Sequence, residues 1–365
     1  MRLKAFLLAF LLNLTNASEK KPPLQCLDED GQPVDWFALY KLPKGADAKT
    51  EVPHLKDGVA YAYISSESPD TTKWQLSAKS IADPTSFPGR TLRPVYDAKD
   101  DGDILSVLYD DAGPDGVEHF TQAHAKGVVA VGSDSSGFWM LHSVPKYPPF
   151  LNQSYGYPHS GHVYGQTFLC VTLDAASTAE DVGATLFHDG VHVFGATVPR
   201  SLAVRFPVLS MVAEGKHAPK SKGSQYVSKK LKTKGGVEGV AFGKSGAWNK
   251  ELYADLVAPS LQTSLIVETW RNGLPSDDPA CETPFRVEDV LGVRFREMGV
   301  SFSYEHDHAK WAVGRDRGTH WVCVGDINRT PSQMGRGGGT LCLREKGLWK
   351  AFSGLIADIH GCGKE

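Results

Sequence analysis

Two stretches of this chain follow one plan. HAKGVVAVGSDSSGFWMLHSVPKYP begins at His124 and HAKWAVGRDRGTHWVCVGDINRTP begins at His308. Each carries His-Ala-Lys, a short aliphatic run, a Gly-rich polar turn, an aromatic-Trp pair and a second apolar run. A repeated pattern buries the same face twice and so folds the same way twice, and apolar runs flanking a glycine turn predict a β-hairpin in each copy. On this alignment Phe138-Trp139 answers His320-Trp321, and the first turn is two residues longer. The copies lie 184 positions apart. Two related lobes are therefore expected, 18–190 with the first triplet and 191–365 with the second.

The N-terminus places the chain in an oxidising route. Met1-Arg2-Leu3-Lys4 precedes the apolar run AFLLAFLLNL, and the small residues Thr15 and Ala17 sit at minus three and minus one of a cut before Ser18, so residues 1–17 read as a signal peptide. No later segment reaches the roughly 18 uncharged apolar residues of a membrane-spanning helix, so no membrane partner is expected. Six cysteines fit such a compartment as three disulfides. Spacing favours a local Cys323–Cys342 bridge, and we expect Cys26–Cys170 and Cys281–Cys362 for the others. The absence of any CxxC argues against zinc. Asn152-Gln153-Ser154 is a sequon suited to a loop, and Asn328-Arg329-Thr330 is a second.

Elsewhere the chain alternates helix and strand. Thr178 to Leu186 and Trp248 to Leu256 have helical spacing, whereas VHVFGAT, SLIVETW and VAYAYI read as strands, giving a mixed α/β class. Lys216 to Gly236 holds seven lysines and no acid, a long loop or hairpin tip that either stays solvated or tracks a polyanion. Formal charge is −3 with histidine neutral, and the 13 histidines would make the chain strongly cationic in acid. Such a surface attracts polyanions.

The triplets carry the chemistry. In extended backbone, residues i and i+2 share a face, so each His-x-Lys sets an imidazole beside an ammonium. Two lysines can neutralise the non-bridging oxygens of a phosphodiester and stabilise its pentacoordinate transition state. One imidazole can attack phosphorus while the other protonates the leaving oxygen and then deprotonates water. This scheme calls for no metal and no cofactor. A single His-x-Lys is usually a solvated strand end; two in matching contexts make a paired site the better reading. His142, trailing the first repeat as Asn328 trails the second, is a candidate phosphate-binding residue, or else a histidine packed beneath the hairpin. No Gly-x-Ser-x-Gly elbow or His-Glu-x-x-His signature is present, which disfavours esterase and zinc-protease chemistry.

The paired His-x-Lys arrangement resembles the phospholipase D superfamily. DHAKW (307–311), WVCVGDINR (321–329), RGGGTLC (336–342) and HSVP (142–145) look like type II, or acid, deoxyribonuclease, as do LQCLDEDGQPVDWFALYKLP and KSGAWNKELYADLVAP, so the likeness spans nearly the whole mature chain. It implies two pseudo-symmetric α/β lobes, each a mixed sheet flanked by helices, with the active site at their interface. It also implies an acid-optimal, divalent-metal-independent endonuclease of double-stranded DNA that leaves 3'-phosphate and 5'-hydroxyl ends, housed in the lysosome or secreted. Carried onto this sequence, His124, Lys126, His308 and Lys310 are catalytic, with attack assigned to His124 and acid/base work to His308, and Asn328 supports the site. The superfamily's aspartate five residues after each lysine is missing, since Val131 and Arg315 stand there and Asp134 and Asp316 are only near misses. The groups that orient the histidines are thus unassigned. One chain supplies both triplets, so a monomer or a homodimer would serve. The rival readings are a lipid phosphodiesterase of the phospholipase D type and a secreted DNA-binding or toxic protein that keeps the fold without the chemistry.

Overall fold

The computed structural model describes residues 23–97, 102–219, 225–272, 276–316 and 318–363. Residues 1–17, expected to be a signal peptide, lie outside these residues, as do 220–224 of the lysine-rich run. Both repeats are β-hairpins, Gly127–Gly132 with Gly137–His142 and Trp311–Gly314 with Trp321–Gly325. Each is the centre of a large sheet. In the first, the strands run Val193–Thr197, Ile104–Tyr109, the hairpin, Gln166–Thr172, Trp36–Lys41, Tyr61–Ser65, Gln75–Leu76. In the second they run Tyr226–Lys232, Glu238–Lys244, Gly338–Arg344, the hairpin in reverse, Leu265–Glu268, Val287–Phe295, Val300–Ser303, Asp47–Ala48.

Five strands of each sheet match in neighbour order, in antiparallel direction and in order along the chain, which is the two-lobed α/β repeat expected. A helix follows the last matched strand in both, Ala176–Asp189 and Lys346–Ser353. The division between lobes is less clean than a cut at residue 190. Val193–Thr197 pairs with Ile104–Tyr109 and so closes the first sheet, and Asp47–Ala48 crosses to the second.

Register corrects the alignment of the repeats. Trp139 lies opposite Val129, and Val322 lies opposite Val313, the residue 184 positions after Val129. Trp139 therefore answers Val322, Phe138 answers Trp321, and the first turn is one residue longer, not two. Side chains alternate faces along a strand, so a one-residue slip would have turned Trp139 outward. Instead Trp139 and Val322 share the core between the sheets with Tyr40, Trp311, Val324 and Leu341, whereas Phe138 and Trp321 join separate outer clusters.

The helix Ala176–Asp189 buries Ala179, Val182, Leu186 and Asp189, one face at spacings of three and four, against that shared core. It ends at Gly190, whose φ of 73° is a left-handed conformation that glycine adopts without penalty. The lysine-rich run becomes the edge strand Tyr226–Lys232, with Lys230 and Lys232 exposed and Lys229 paired to Asp181 at 2.9 Å. Charges on an exposed edge oppose pairing with other chains. The expected disulfides, Cys26–Cys170, Cys281–Cys362 and Cys323–Cys342, are all formed, the last between directly opposed residues of adjacent strands. Among the described residues no helix is long and apolar enough to cross a membrane.

Candidate active site

The triplets do not lie within the hairpin strands. They precede them, and their backbone pairs with the opposite lobe. His124 N–H donates to the Gly337 carbonyl at 2.8 Å and Lys126 N–H to Asp326 Oδ1 at 3.2 Å; His308 N–H donates to the Gly165 carbonyl at 2.9 Å and Lys310 N–H to Thr167 Oγ1 at 3.3 Å. Each triplet is thus stitched across the interface; the histidine bonds to Gly337 and Gly165 are related by the repeat, whereas the lysine bonds reach non-equivalent positions, Asp326 and Thr167. The glycine run of RGGGTLC is the receiving surface. Gly338 has a φ of 143°, and a Cβ there would sit 3.0 Å from the His124 carbonyl, while one on Gly337 would collide with the Asp189 carbonyl at 1.9 Å.

In the first half, His124 Nδ1 lies 2.7 Å from the Asp326 carbonyl. A carbonyl only accepts, so Nδ1 carries the proton and Nε2 keeps a lone pair. Lys126 Nζ ion-pairs closely with Asp111 and lies 3.6 Å from Asp110. The second Asp111 oxygen takes Arg336 of the other lobe at 3.0 Å, and Arg336 Nε donates to the Gln122 carbonyl at 3.2 Å. Burial works against the Lys126 charge, but Asp111 and Asp110 outweigh it and hold this ammonium above the ordinary lysine range. Burial, with Asp111 alongside, pushes Asp110 up to about 8 against the pull of Lys126, while Lys126 overcomes burial and holds Asp111 low.

In the second half, His308 Nδ1 lies 3.1 Å from Gln166 Oε1, an oxygen that also accepts from Ser143 Oγ at 2.6 Å. Lys310 Nζ is 2.8 Å from the His308 carbonyl and 3.1 Å from its Nε2. The preceding Asp307, pushed up to about 6 by burial, is anchored to the first lobe by the Tyr40 hydroxyl. Burial, then the neighbouring Lys126 charge, drives Lys310 well below the usual lysine value. Burial also pulls both imidazoles far below the histidine range, followed by Lys126 for His124 and by Lys310 for His308. The charges of Lys126 and Lys310 lower the proton affinity of both imidazoles, so a phosphate placed among them would favour the protonated forms.

His142 does not join this group. Its backbone N–H meets the Lys126 carbonyl, as Gly325 N–H meets that of Lys310, so the counterpart of His142 is Gly325, and Ser143 rather than His142 answers Asp326. The His142 ring is fully buried against Tyr147 and Phe168 on the outer face of the sheet, out of reach of a phosphate at the triplets. Burial holds it neutral, well below its ordinary pKa. The unfolded state binds this proton near pH ~6.5 and the folded state does not, so the contribution is complete above that pH and is lost as pH falls. His142→Phe should flatten the decline of Tm below pH 6.5 without altering phosphodiester cleavage; an unchanged slope would contradict this placement.

Asn328 is 5% exposed in the loop after the second hairpin, two residues beyond the carbonyl that holds His124. An oligosaccharide cannot be attached to so covered an amide in the folded chain. Peptide mapping should find Asn328 bare and glycan, if any, on the exposed Asn152; a glycan at Asn328 in active protein would contradict the fold of this loop. Asp134 and Asp316, the near misses, sit at exposed hairpin turns. The histidines are instead held by the Asp326 carbonyl and Gln166, while Asp111, braced by Arg336, holds Lys126. Asp326 and Arg336 lay inside the phrases GDIN and RGGGTLC; Gln166 opens a strand and Asp111 follows one, which no local spacing marks.

The fold is a two-lobed α/β repeat, consistent with a phospholipase-D-like arrangement, with the paired triplets at the interface of its lobes. Residues 25–362 match the family described as Deoxyribonuclease II. The chain is 35% identical to Deoxyribonuclease-2 of Caenorhabditis elegans over 98% of both chains, and 34% identical to Deoxyribonuclease-2-alpha of Sus scrofa over 94% of this chain and 92% of that one. Plancitoxin-1 of Acanthaster planci is 32% identical over 93% and 92%. The chain belongs to the deoxyribonuclease II family.

Proposed function

We propose that this protein is an acid endodeoxyribonuclease that hydrolyses double-stranded DNA to 3'-phosphate and 5'-hydroxyl ends without a divalent metal. The observation that carries the reading is the reciprocal stitching of the two His-Ala-Lys triplets, each to the opposite lobe, which unites two imidazoles and two ammonium groups in one interface site. Lys126 and Lys310 neutralise the diester and its transition state. His124 Nε2 attacks phosphorus; the N–P bond forms as the bond to the 5' oxygen breaks, and His308 gives that oxygen its proton. Water then attacks phosphorus, the N–P bond breaks, and His308 recovers a proton. Membership of the family favours DNA over a lipid head group, and intact Lys126 and Lys310 disfavour a catalytically dead relative. A single chain holds the complete site, and the lysosome or the secreted space supplies the acid or oxidising setting.

The pH dependence follows from burial. His308 is depressed, so it is protonated only in acid, helped by the negative charge of a bound diester. On the basic limb the rate should fall about tenfold per pH unit, as for a single general acid. The experiment is nicking of supercoiled plasmid at pH 5 and pH 7.5 with excess chelator. Full activity at pH 5 in chelator, with ends that require phosphatase before 3' extension, is expected; chelator-sensitive cleavage would overturn the scheme.

A further inference from the structure

The two halves of the site are not equivalent, and the strand register shows where they differ. Tyr109 pairs with Gly127 and Glu268 pairs with Trp311, the residues that directly follow Lys126 and Lys310. Two positions beyond each lie Asp111 and Trp270. Where the first half has the carboxylate that holds its lysine, the second half has an indole.

Trp270 also stands apart from the other tryptophans, each of which packs into one of the three hydrophobic clusters; Trp270 is in none of them. It is partly exposed, with its ring centroid 5.2 Å from that of His308, and Tyr164 supports it edge-on at 4.6 Å. The chain beyond it is pinned. Arg271 stacks on Tyr304 and donates to the Val290 carbonyl, and Asn272 Nδ2 donates to the Glu305 carbonyl at 2.9 Å. A large aromatic held in place, spared from the core and set beside the histidine that protonates the leaving oxygen, is a stacking surface.

We propose that Trp270, braced by Tyr164, stacks on the nucleobase next to the scissile phosphate, a role that rests on the nuclease reading above. Each nucleobase has a π-face, so such a platform tolerates sequence while demanding that one base leave its stack. The platform would steady the nucleoside on the His308 side as Asp111 and Arg336 steady Lys126 on the other.

The test uses oligonucleotides with one phosphodiester among methylphosphonate linkages, and with the base on either side of it intact or replaced by hydrogen. Wild-type kcat/KM should drop roughly tenfold when one of these bases is removed. Trp270→Ala should lose about as much on the intact substrate yet be indifferent to that base, and Trp270→Phe should restore most of the loss. Wild type insensitive to both bases overturns the platform, as does a Trp270→Ala whose loss multiplies with base removal. Those results would leave plasmid cleavage standing, whereas a wild type that cuts no DNA would overturn both readings.

Discussion

Alanine at His124 or at His308 is expected to lower the single-turnover cleavage rate by at least about 10⁴-fold, and alanine at both to cost little more than the worse single change. Residues that act as one unit are non-additive in this way. Without His124 no nitrogen is aimed at phosphorus, because its Nε2 is freed for attack only by the bond from Nδ1 to the Asp326 carbonyl. Without His308 the 5' oxygen must leave as an alkoxide. The lysines and the binding surface remain in both variants, so binding of DNA should change far less than its cleavage. Rapid-quench kinetics on the three variants reads this directly. Losses that multiply in the double variant would mean that the two histidines act independently.

The next largest effect falls on folding. Arg329, 1% exposed, donates to Asp289 Oδ1 at 2.6 Å and to the Asp278 carbonyl at 3.0 Å, and its Nε lies 3.8 Å from Glu251. Removing one member of such a network strands buried charge, at a cost of about 3–5 kcal/mol. Arg329→Met should therefore reduce the unfolding free energy by roughly that amount in urea at pH 7.5. Burial pushes Glu251 upward and Arg329 opposes it, so in the variant Glu251 takes up a proton more readily and the loss should be smaller at pH 5. A loss below about 1 kcal/mol, or one equal at both pH values, would contradict this assignment. The motif phrase WVCVGDINR thus mixes two duties, since Asp326 serves the site and Arg329 the core.

How far the fold could be read beforehand depended on which interactions are local. The hairpins were legible because alternating apolar residues and a glycine turn are enough to make one, and Cys323–Cys342 because its strands are neighbours. Register was misjudged where Trp139 was matched to Trp321 by residue type; only the burial of alternate faces separates the inward Trp139 from the outward Phe138. His142 was misplaced for the same reason, since its backbone equivalent is Gly325. The helix expected over Trp248 to Leu256 forms later, as a wide turn Tyr253–Val257 running into Ala258–Leu261.

The candidate histidines and lysines stood out by repetition, but their partners could not. Gln166 approaches His308 from 142 positions away and Arg336 approaches Asp111 from 225. The repeat itself hid the asymmetry of Asp111 and Trp270, because those residues lie just beyond strands outside the repeated segment. Each became visible only once the strands were in register.

In the proposed mechanism a histidine of one lobe bonds to phosphorus while a histidine of the other handles protons. His308→Asn removes the proton carrier and should let the intermediate accumulate on an oligonucleotide whose 5' leaving group is activated. Quenching in alkali, where a phosphohistidine survives, followed by peptide mapping, should find the DNA 3'-phosphoryl group on His124. Adducts on any other residue, or turnover with no adduct when release of the leaving group is complete, would contradict it.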